Sequence, residues 1–261
     1  MGALSSSSTV TGAGRLRCRA LWKRYGGTVA LRGVSLDMPE TGVVALVGPN
    51  GSGKTTLFQV MTGFEAADAG DVWLGEQSLL GRAPWEIAAL GVVRTFQEVR
   101  LAGRLSAIEN VMACWPMQRG EGVVASLTRL GLQRAERDNA VWSREKLERV
   151  GLGAQAMILA GKLSYGQRRL LTVACCLATR ARILLLDEPF AGVDEAFSET
   201  LLFTLRQAAD EGHLVVLVEH DLRIVRTIAE RVYVLEAGTI LAEGPADEVL
   251  TSSLVRSAFD A

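Results

Sequence analysis

Eight residues, GPNGSGKT at positions 48–55, have the composition of a phosphate cradle. They match G-x-x-x-x-G-K-[ST] at every fixed position, with an apolar strand-like run before and a helix-like run after. Gly48, Gly51 and Gly53 permit a tight loop whose backbone N–H groups point at one centre. Those donors and the N-terminus of the following helix favour an anion. Lys54 would neutralise the β- and γ-phosphates of a nucleotide, and the Thr55 hydroxyl would reach Mg2+. A second element, ILLLDE at 183–188, is an apolar strand ending in two carboxylates. Asp187 would hold Mg2+. Glu188, one position on, would face the other way and polarise a water in line with the γ-phosphate.

A third stretch, LSYGQ at 163–167, heads an apolar, helix-like run without bringing an acid, a metal ligand or a nucleophile pair. Ser164 offers a hydroxyl and Gly166 an unobstructed N–H. The start of a helix adds a field that favours anions. Tyr165 is not required by that chemistry.

These residues need elements to position them. RLRCRALWKRY (15–25) and LRGVSLDM (31–38) read as strands joined at Gly26–Gly27, and GDVWLG (70–75) as a short strand. Residues 41–63 read as strand, loop and helix, 84–90 as a helix, and 92–97 as a strand leading into a loop. Residues 98–160 are rich in Arg, Glu, Ala and Leu and read as a helical lobe, with an amphipathic helix over 135–152. From 165 the expected order is helix 165–179, strand 183–189, helix 195–211, strand 213–220 and helix 221–229. Strands 231–237 and 239–244 and a last helix from Pro245 complete it. Near-continuous apolar strands alternating with helices imply a parallel sheet covered on both faces.

The chain's 261 residues can bury a sizeable core. With 28 basic and 29 acidic residues the net charge is −1, which gives no support for a nucleic-acid partner. The four cysteines lack metal-finger spacing and read as buried free thiols in a reducing compartment. No apolar run approaches the ~18 residues of a membrane span.

In chain order, GPNGSGKTT (48–56), RTFQ (94–97), LSYGQ (163–167), ILLLDEP (183–189), AGVD (191–194) and VEHD (218–221) resemble the nucleotide-binding subunit of ATP-binding cassette (ABC) transporters. The likeness spans about residues 15–250. It implies an α/β fold of the P-loop NTPase class: a mainly parallel sheet core, an antiparallel β region, and a helical subdomain inserted at about 98–180. Residues 1–14 and 251–261 would be tails. The cofactors implied are ATP and Mg2+. Pro49, Asn50, Ser52 and Thr56 would complete the ATP-binding loop, and Tyr25 would stack on adenine. Gln97 would sense Mg2+ and the attacking water and link the site to a membrane partner. Glu188 resembles the general base, and His220 the histidine that contacts the γ-phosphate. Asp194 would lie where two cassettes meet. Leu163, Ser164, Tyr165, Gly166 and Gln167 would cap the ATP held by the opposite subunit.

Such a chain would dimerise head to tail with a second ATPase subunit, either a copy or a paralogue. It would dock on two transmembrane permease subunits at the cytoplasmic face of the inner membrane, with a solute-binding protein acting indirectly. Within the family, RTFQEVRL (94–101), SAIENVM (106–112), LSYGQRRLL and VEHDLRIV (218–225) resemble the ATPases of branched-chain amino acid uptake. LAGRLSAIEN, GVDEAF and VRSAFDA depart from that branch, so urea or a short amide stays open as the solute. Two further alternatives are an export ATPase for lipid and a soluble cassette ATPase working on nucleic acid or ribosomes. The single cassette and modest helical insert argue against the soluble one.

Overall fold

The apolar run GVVALV is buried at all six positions, as a strand covered on both faces must be. It belongs to a chain of ten strands and eight α-helices among the residues described in this computed structural model, namely 14–95, 101–115, 129–253, 255 and 259. The first half of that order is β1 (Leu16–Tyr25), β2 (Thr28–Asp37), β3 (Gly42–Val47), α1 (Lys54–Met61), β4 (Ala69–Leu74), β5 (Gln77–Ser78), α2 (Pro84–Ala89) and β6 (Val92–Arg94). Then come α3 (Ala107–Ala113), α4 (Arg129–Arg149), α5 (Tyr165–Ala178), β7 (Ile183–Asp187), α6 (Glu195–Asp210) and β8 (Leu214–Val218). The last elements are α7 (Leu222–Ile228), β9 (Arg231–Glu236), β10 (Thr239–Pro245) and α8 (Ala246–Thr251).

Two sheets form. The larger has the order β10-β9-β3-β8-β7-β6, parallel throughout except where β10 pairs antiparallel with β9 at one edge. The smaller, β2-β1-β4-β5, is antiparallel. The antiparallel region is thus a sheet of its own, and with α1 it covers one face of the parallel sheet. Leu16, Leu21 and Leu36 share a core there with Val44, Leu46, Leu185 and Val216, and with Leu57, Phe58 and Met61 of α1. On the opposite face Leu184, Leu186, Val215 and Leu217 pack against Leu170 and Leu171 of α5 and Leu201 and Leu205 of α6. A third cluster lies under α7 and α8 and includes Val47, Val232 and Val255. Alternate residues of β3 point into different clusters, which is the period-2 geometry of a strand. Burying each Val or Leu fully contributes about 1.5–3 kcal/mol.

Three features were not legible from periodicity. The two-residue β5 is too short to show a pattern. β2 begins at Thr28, three residues before the apolar run, because it pairs with β1 from Tyr25 onward. α3 begins at a reciprocal cap: Ser106 N–H donates to Glu109 Oε2 at 2.7 Å, and Glu109 N–H to Ser106 Oγ at 3.4 Å. Helices α3, α4 and α5 pack on one another between β6 and β7 in the chain, and Thr204 Oγ1 donates to the Arg149 carbonyl at 2.6 Å to hold α6 against the end of α4.

Tyr233, fully buried on β9, spans the two sheets by donating its hydroxyl to the Asp37 carbonyl at 2.7 Å. Tyr233→Phe keeps the ring and leaves that carbonyl short of a donor. Urea unfolding should show a lower midpoint at unchanged slope, a loss of about 1–2 kcal/mol.

Candidate active site

The phosphate loop, Asp187, Glu188 and His220 sit at the C-terminal ends of neighbouring parallel strands. β3 runs into the loop 48–53, β7 ends at Asp187 and Glu188, and β8 leads to Glu219 and His220. In open parallel sheets this end is where loops can gather around a ligand.

Backbone crowding dictates the loop's glycines. A Cβ on Gly48 would lie 2.0 Å from the Leu235 carbonyl of β9. Gly53, the residue before α1, has φ +107° and would bring a Cβ to 2.5 Å from the Ala30 carbonyl. The Lys54 side chain folds back over the loop, donating to the carbonyls of Gly48 and Pro49 at 2.8 Å each and to Ser52 Oγ at 3.4 Å. It is 5% exposed. Burial pushes its ammonium below the usual lysine range, and the charges of Glu188 and Asp187 oppose that shift.

A cavity of about 280 Å3 opens beside this lysine. Its lining includes Asn50, Gly51, Gly53, Lys54, Thr55, Thr56, Glu188 and His220, with Thr28–Ala30 of β2 on the rim. Glu188 has φ +47°, a left-handed conformation that costs a non-glycine residue about 1–2 kcal/mol. That turn aims its carboxylate at His220, whose Nε2 lies 2.6 Å from Glu188 Oε1.

Glu219 was not anticipated from the sequence, where it is one of two acids flanking His220 after an apolar strand. It is buried, and its two carboxylate oxygens accept the N–H groups of Phe190 and His220 at 3.1 and 3.3 Å. One side chain thereby fixes both the turn after Glu188 and the backbone that carries His220. Burial pushes its carboxyl from 4.5 up to about 7, with the nearby charges of Glu188 and Asp221 adding to that shift and the two N–H donors opposing it.

Asp187 is 1% exposed. Arg94 Nη2 lies 3.2 Å from its Oδ2, its N–H donates to Thr95 Oγ1 at 2.9 Å, and its carbonyl accepts Arg169 Nη1 at 3.3 Å. Burial pushes its carboxyl up, and Arg94 and Arg169 pull it back. The Thr55 hydroxyl and the Asp187 carboxylate are hard oxygen donors of the kind Mg2+ takes beside substrate phosphates. Among the described residues no group of three His, Cys, Asp or Glu could hold a metal alone, so the fit is to an ion shared with a nucleotide. Gln97 lies outside the described residues.

Tyr25, the segment 163–167, Asp187 and Asp194 are not among the residues that line this cavity. Tyr25 is exposed at the end of β1, with Lys23 Nζ 5.1 Å from its ring centroid and its hydroxyl 3.5 Å from Gln59 Oε1. The segment 163–167 also stands apart from the cavity lining. Ser164 caps α5, its Oγ accepting the Gln167 N–H at 3.1 Å while Gln167 Oε1 accepts the Ser164 N–H at 3.0 Å. The S-x-x-Q spacing was legible as a capping box. Leu163 is buried beneath that turn, and Asp194 is exposed and caps α6 through Phe197 N–H at 3.1 Å.

A phosphate loop, a buried acid at a strand end, and a Glu–His pair facing the loop's lysine define a P-loop nucleotide-binding cassette. Residues 31–191 match the ABC transporter family. The chain is 37% identical over 246 residues to the high-affinity branched-chain amino acid transport ATP-binding protein LivG of Salmonella typhimurium, covering 94% of this chain and 96% of that protein. It is 36% identical, over the same share of each chain, to BraF of Pseudomonas aeruginosa, which bears the same description. The ADP conformation of an ATP-binding cassette of an ABC transporter superposes with a TM-score of 0.80 at 30% identity, over 95% of this chain and 98% of that one. The chain therefore belongs to the ABC transporter family.

Because the folded chain holds the Glu219 proton up to about pH 7, stability should fall as pH rises from about 4.5 to about 7. Glu219→Gln cannot titrate and should flatten that dependence. Urea midpoints measured across the window check this, and parallel curves for the two proteins would mean that Glu219 ionises normally.

Proposed function

We propose that the chain is the ATP-hydrolysing subunit of an ABC importer that takes up branched-chain or other hydrophobic amino acids through separate permease subunits. The cavity that gathers Lys54, Thr55, Glu188 and His220 carries the ATPase reading. Likeness at 35–37% identity along nearly the whole chain to proteins described as branched-chain amino acid transport ATP-binding proteins supports the solute class.

The work required of this chain is positional and electrostatic. In the structure Lys54 satisfies its own loop's carbonyls. A triphosphate outcompetes those carbonyls, so the ammonium moves to the β- and γ-oxygens without leaving the cradle. The N–H groups of residues 51–56 at the head of α1 hold the same phosphates. Glu188 orients and deprotonates the attacking water, and His220, now 2.6 Å from Glu188, reaches the γ-phosphate. Thr55 and Asp187, with Gln97, would hold Mg2+, which would offset the negative charge of the phosphates. Tyr25 stacks on adenine from the exposed end of β1.

Residues 163–167 act in trans. They stand outside the chain's own cavity, with an intact capping box and the free N-terminus of a 14-residue helix. A second cassette, placed head to tail, puts this terminus on the γ-phosphate of its partner's ATP, and Asp194 lies along the seam. The membrane partner docks in a groove of about 540 Å3 on the other side of the lobe, lined by Trp85, Leu101, Ala102 and Cys114 among others. Trp85 is 75% exposed there. No helix among the described residues is long and apolar enough to cross a membrane.

Glu188→Gln should bind ATP and turn it over at least about a hundredfold more slowly, the scale of losing a general base. Near-normal turnover in that variant would remove Glu188 from the role. Lys54→Ala should instead weaken binding in a nucleotide titration. Ser164→Arg should spare binding by the single chain and abolish ATP-dependent dimerisation and turnover. Pull-down from solubilised membranes should recover two multi-span proteins, and labelled leucine or isoleucine should compete for the associated binding protein where urea does not. Recovery with ribosomes instead would overturn the transport reading.

A further inference from the structure

Arg169 belongs to none of the motifs that identify the site, yet it is 4% exposed and sits one turn into α5. A buried arginine is costly unless its donors are satisfied. Two of its nitrogens are. Nη2 donates to the Tyr165 hydroxyl at 2.7 Å, and Nη1 to the Asp187 carbonyl at 3.3 Å. Its guanidinium carbon also lies 5.2 Å from the Tyr165 ring centroid. Among the described residues Nε has no hydrogen-bond partner, so the side chain is held by those two bonds and the ring.

Tyr165 touches a third segment. A Cβ on Gly192 would come within 2.6 Å of the Tyr165 ring, so the ring lies directly on the backbone of the AGVD turn. Gly166 packs on the same turn, 2.9 Å from the Gly192 carbonyl by the same measure. Three segments therefore meet around one buried guanidinium: the head of α5, the turn at 191–193, and the end of β7.

We propose that Arg169 is a positioning residue that couples the two nucleotide sites of the dimer. It ties Tyr165, at the terminus that meets the partner's ATP, to the backbone of Asp187, beside the chain's own ATP. The inference rests on the reading that residues 163–167 act in trans. Glu188 follows Asp187 directly and holds a left-handed conformation, so a displacement of the Asp187 carbonyl redirects the Glu188 carboxylate. When the partner's γ-phosphate draws the head of α5 toward it, Tyr165 and Arg169 move with it, and the pull reaches Glu188. The bulky aromatic at position 165 has a task on this account: its ring bears on Gly192 and its hydroxyl completes the arginine's fork. Lysine ends in a single nitrogen and lacks the planar fork that presents Nη1 and Nη2 to the two acceptors.

The test is a double-mutant cycle in the full chain assembled into its ATPase-competent dimer. Tyr165→Phe keeps the ring and removes the hydroxyl. Arg169→Met keeps the length and removes the fork. Each should lower kcat about tenfold, the scale of one hydrogen bond to a charged group, while KM and single-chain ATP affinity stay within about twofold. The double variant should be no slower than the slower single variant, because both remove one connection. Arg169→Lys should fail to restore kcat.

Multiplying effects in the double variant, weakened ATP binding by the single chain, or recovery with lysine would each overturn the coupling. Should Arg169→Met not fold, unchanged kcat in Tyr165→Phe is decisive against it. Ser164→Arg separates the two layers. If that variant still dimerises and turns over, the trans reading fails and takes the coupling with it. If it does not, a multiplicative cycle removes the coupling alone.

Discussion

A buried carboxylate at the end of β7 is the constraint around which the rest of the site is arranged. Asp187 is nearly sealed from water, and a charge in that position is expensive unless it is paired and hydrogen-bonded. The fold answers with Arg94 on the carboxylate, Thr95 on the N–H and Arg169 on the carbonyl. They come from two directions. Arg94 and Thr95 close the neighbouring strand β6, and Arg169 comes from the helix that precedes β7 in the chain. Fixing this one residue therefore fixes the relation of an edge strand, the helical lobe and the central sheet.

That arrangement explains why the parallel sheet lies so deep. Its three central strands end side by side, and a shift of one would separate Lys54 from Glu188 or Glu188 from His220. The antiparallel sheet with α1 on one face and α5 with α6 on the other leave these strands little room to slide. Packed cores deform little, so sub-ångström placement of charged groups is available where loops alone would not supply it. The cost is visible at Glu188, where a left-handed backbone is held in place by its N–H bond to Val218 and by the turn that Glu219 secures.

The candidate site residues stood out in the sequence because each belongs to a contiguous motif. A phosphate loop must have its glycines, lysine and threonine in one short run. Strand order was legible from continuous apolar runs such as GVVALV and ILLLD. The sequence did not reveal the residues that hold those motifs in place. Glu219 binds Phe190 across 29 positions, and Arg94 pairs with Asp187 across 93. Neither has a local spacing to betray it, since the pairing exists only after the strands have assembled. The split into two sheets escaped for the same reason: alternation shows that a strand has a buried face, not which layer it faces. Ser164 and Gln167 are the opposite case, a local cap hidden under a more conspicuous signature.

Taken alone, the chain is half of two machines. Its own cavity offers phosphate donors on one side and Glu188 with His220 on another, while the N-terminus of α5 lies outside its lining. On the proposed trans reading a single cassette has a binding site without a cap and a cap without a ligand, and head-to-tail pairing with a second cassette would supply both. In that pairing the head of α5 at residue 164 would meet the partner's nucleotide, while its other end at residue 178 lies in the helical lobe. Arg169 lies near the first of those ends, where a small motion of the helix meets the strand that carries the chain's own acid. On the proposed coupling, the link from the half-exposed Tyr165 through the buried Arg169 to the Asp187 backbone would carry the state of one site to the other.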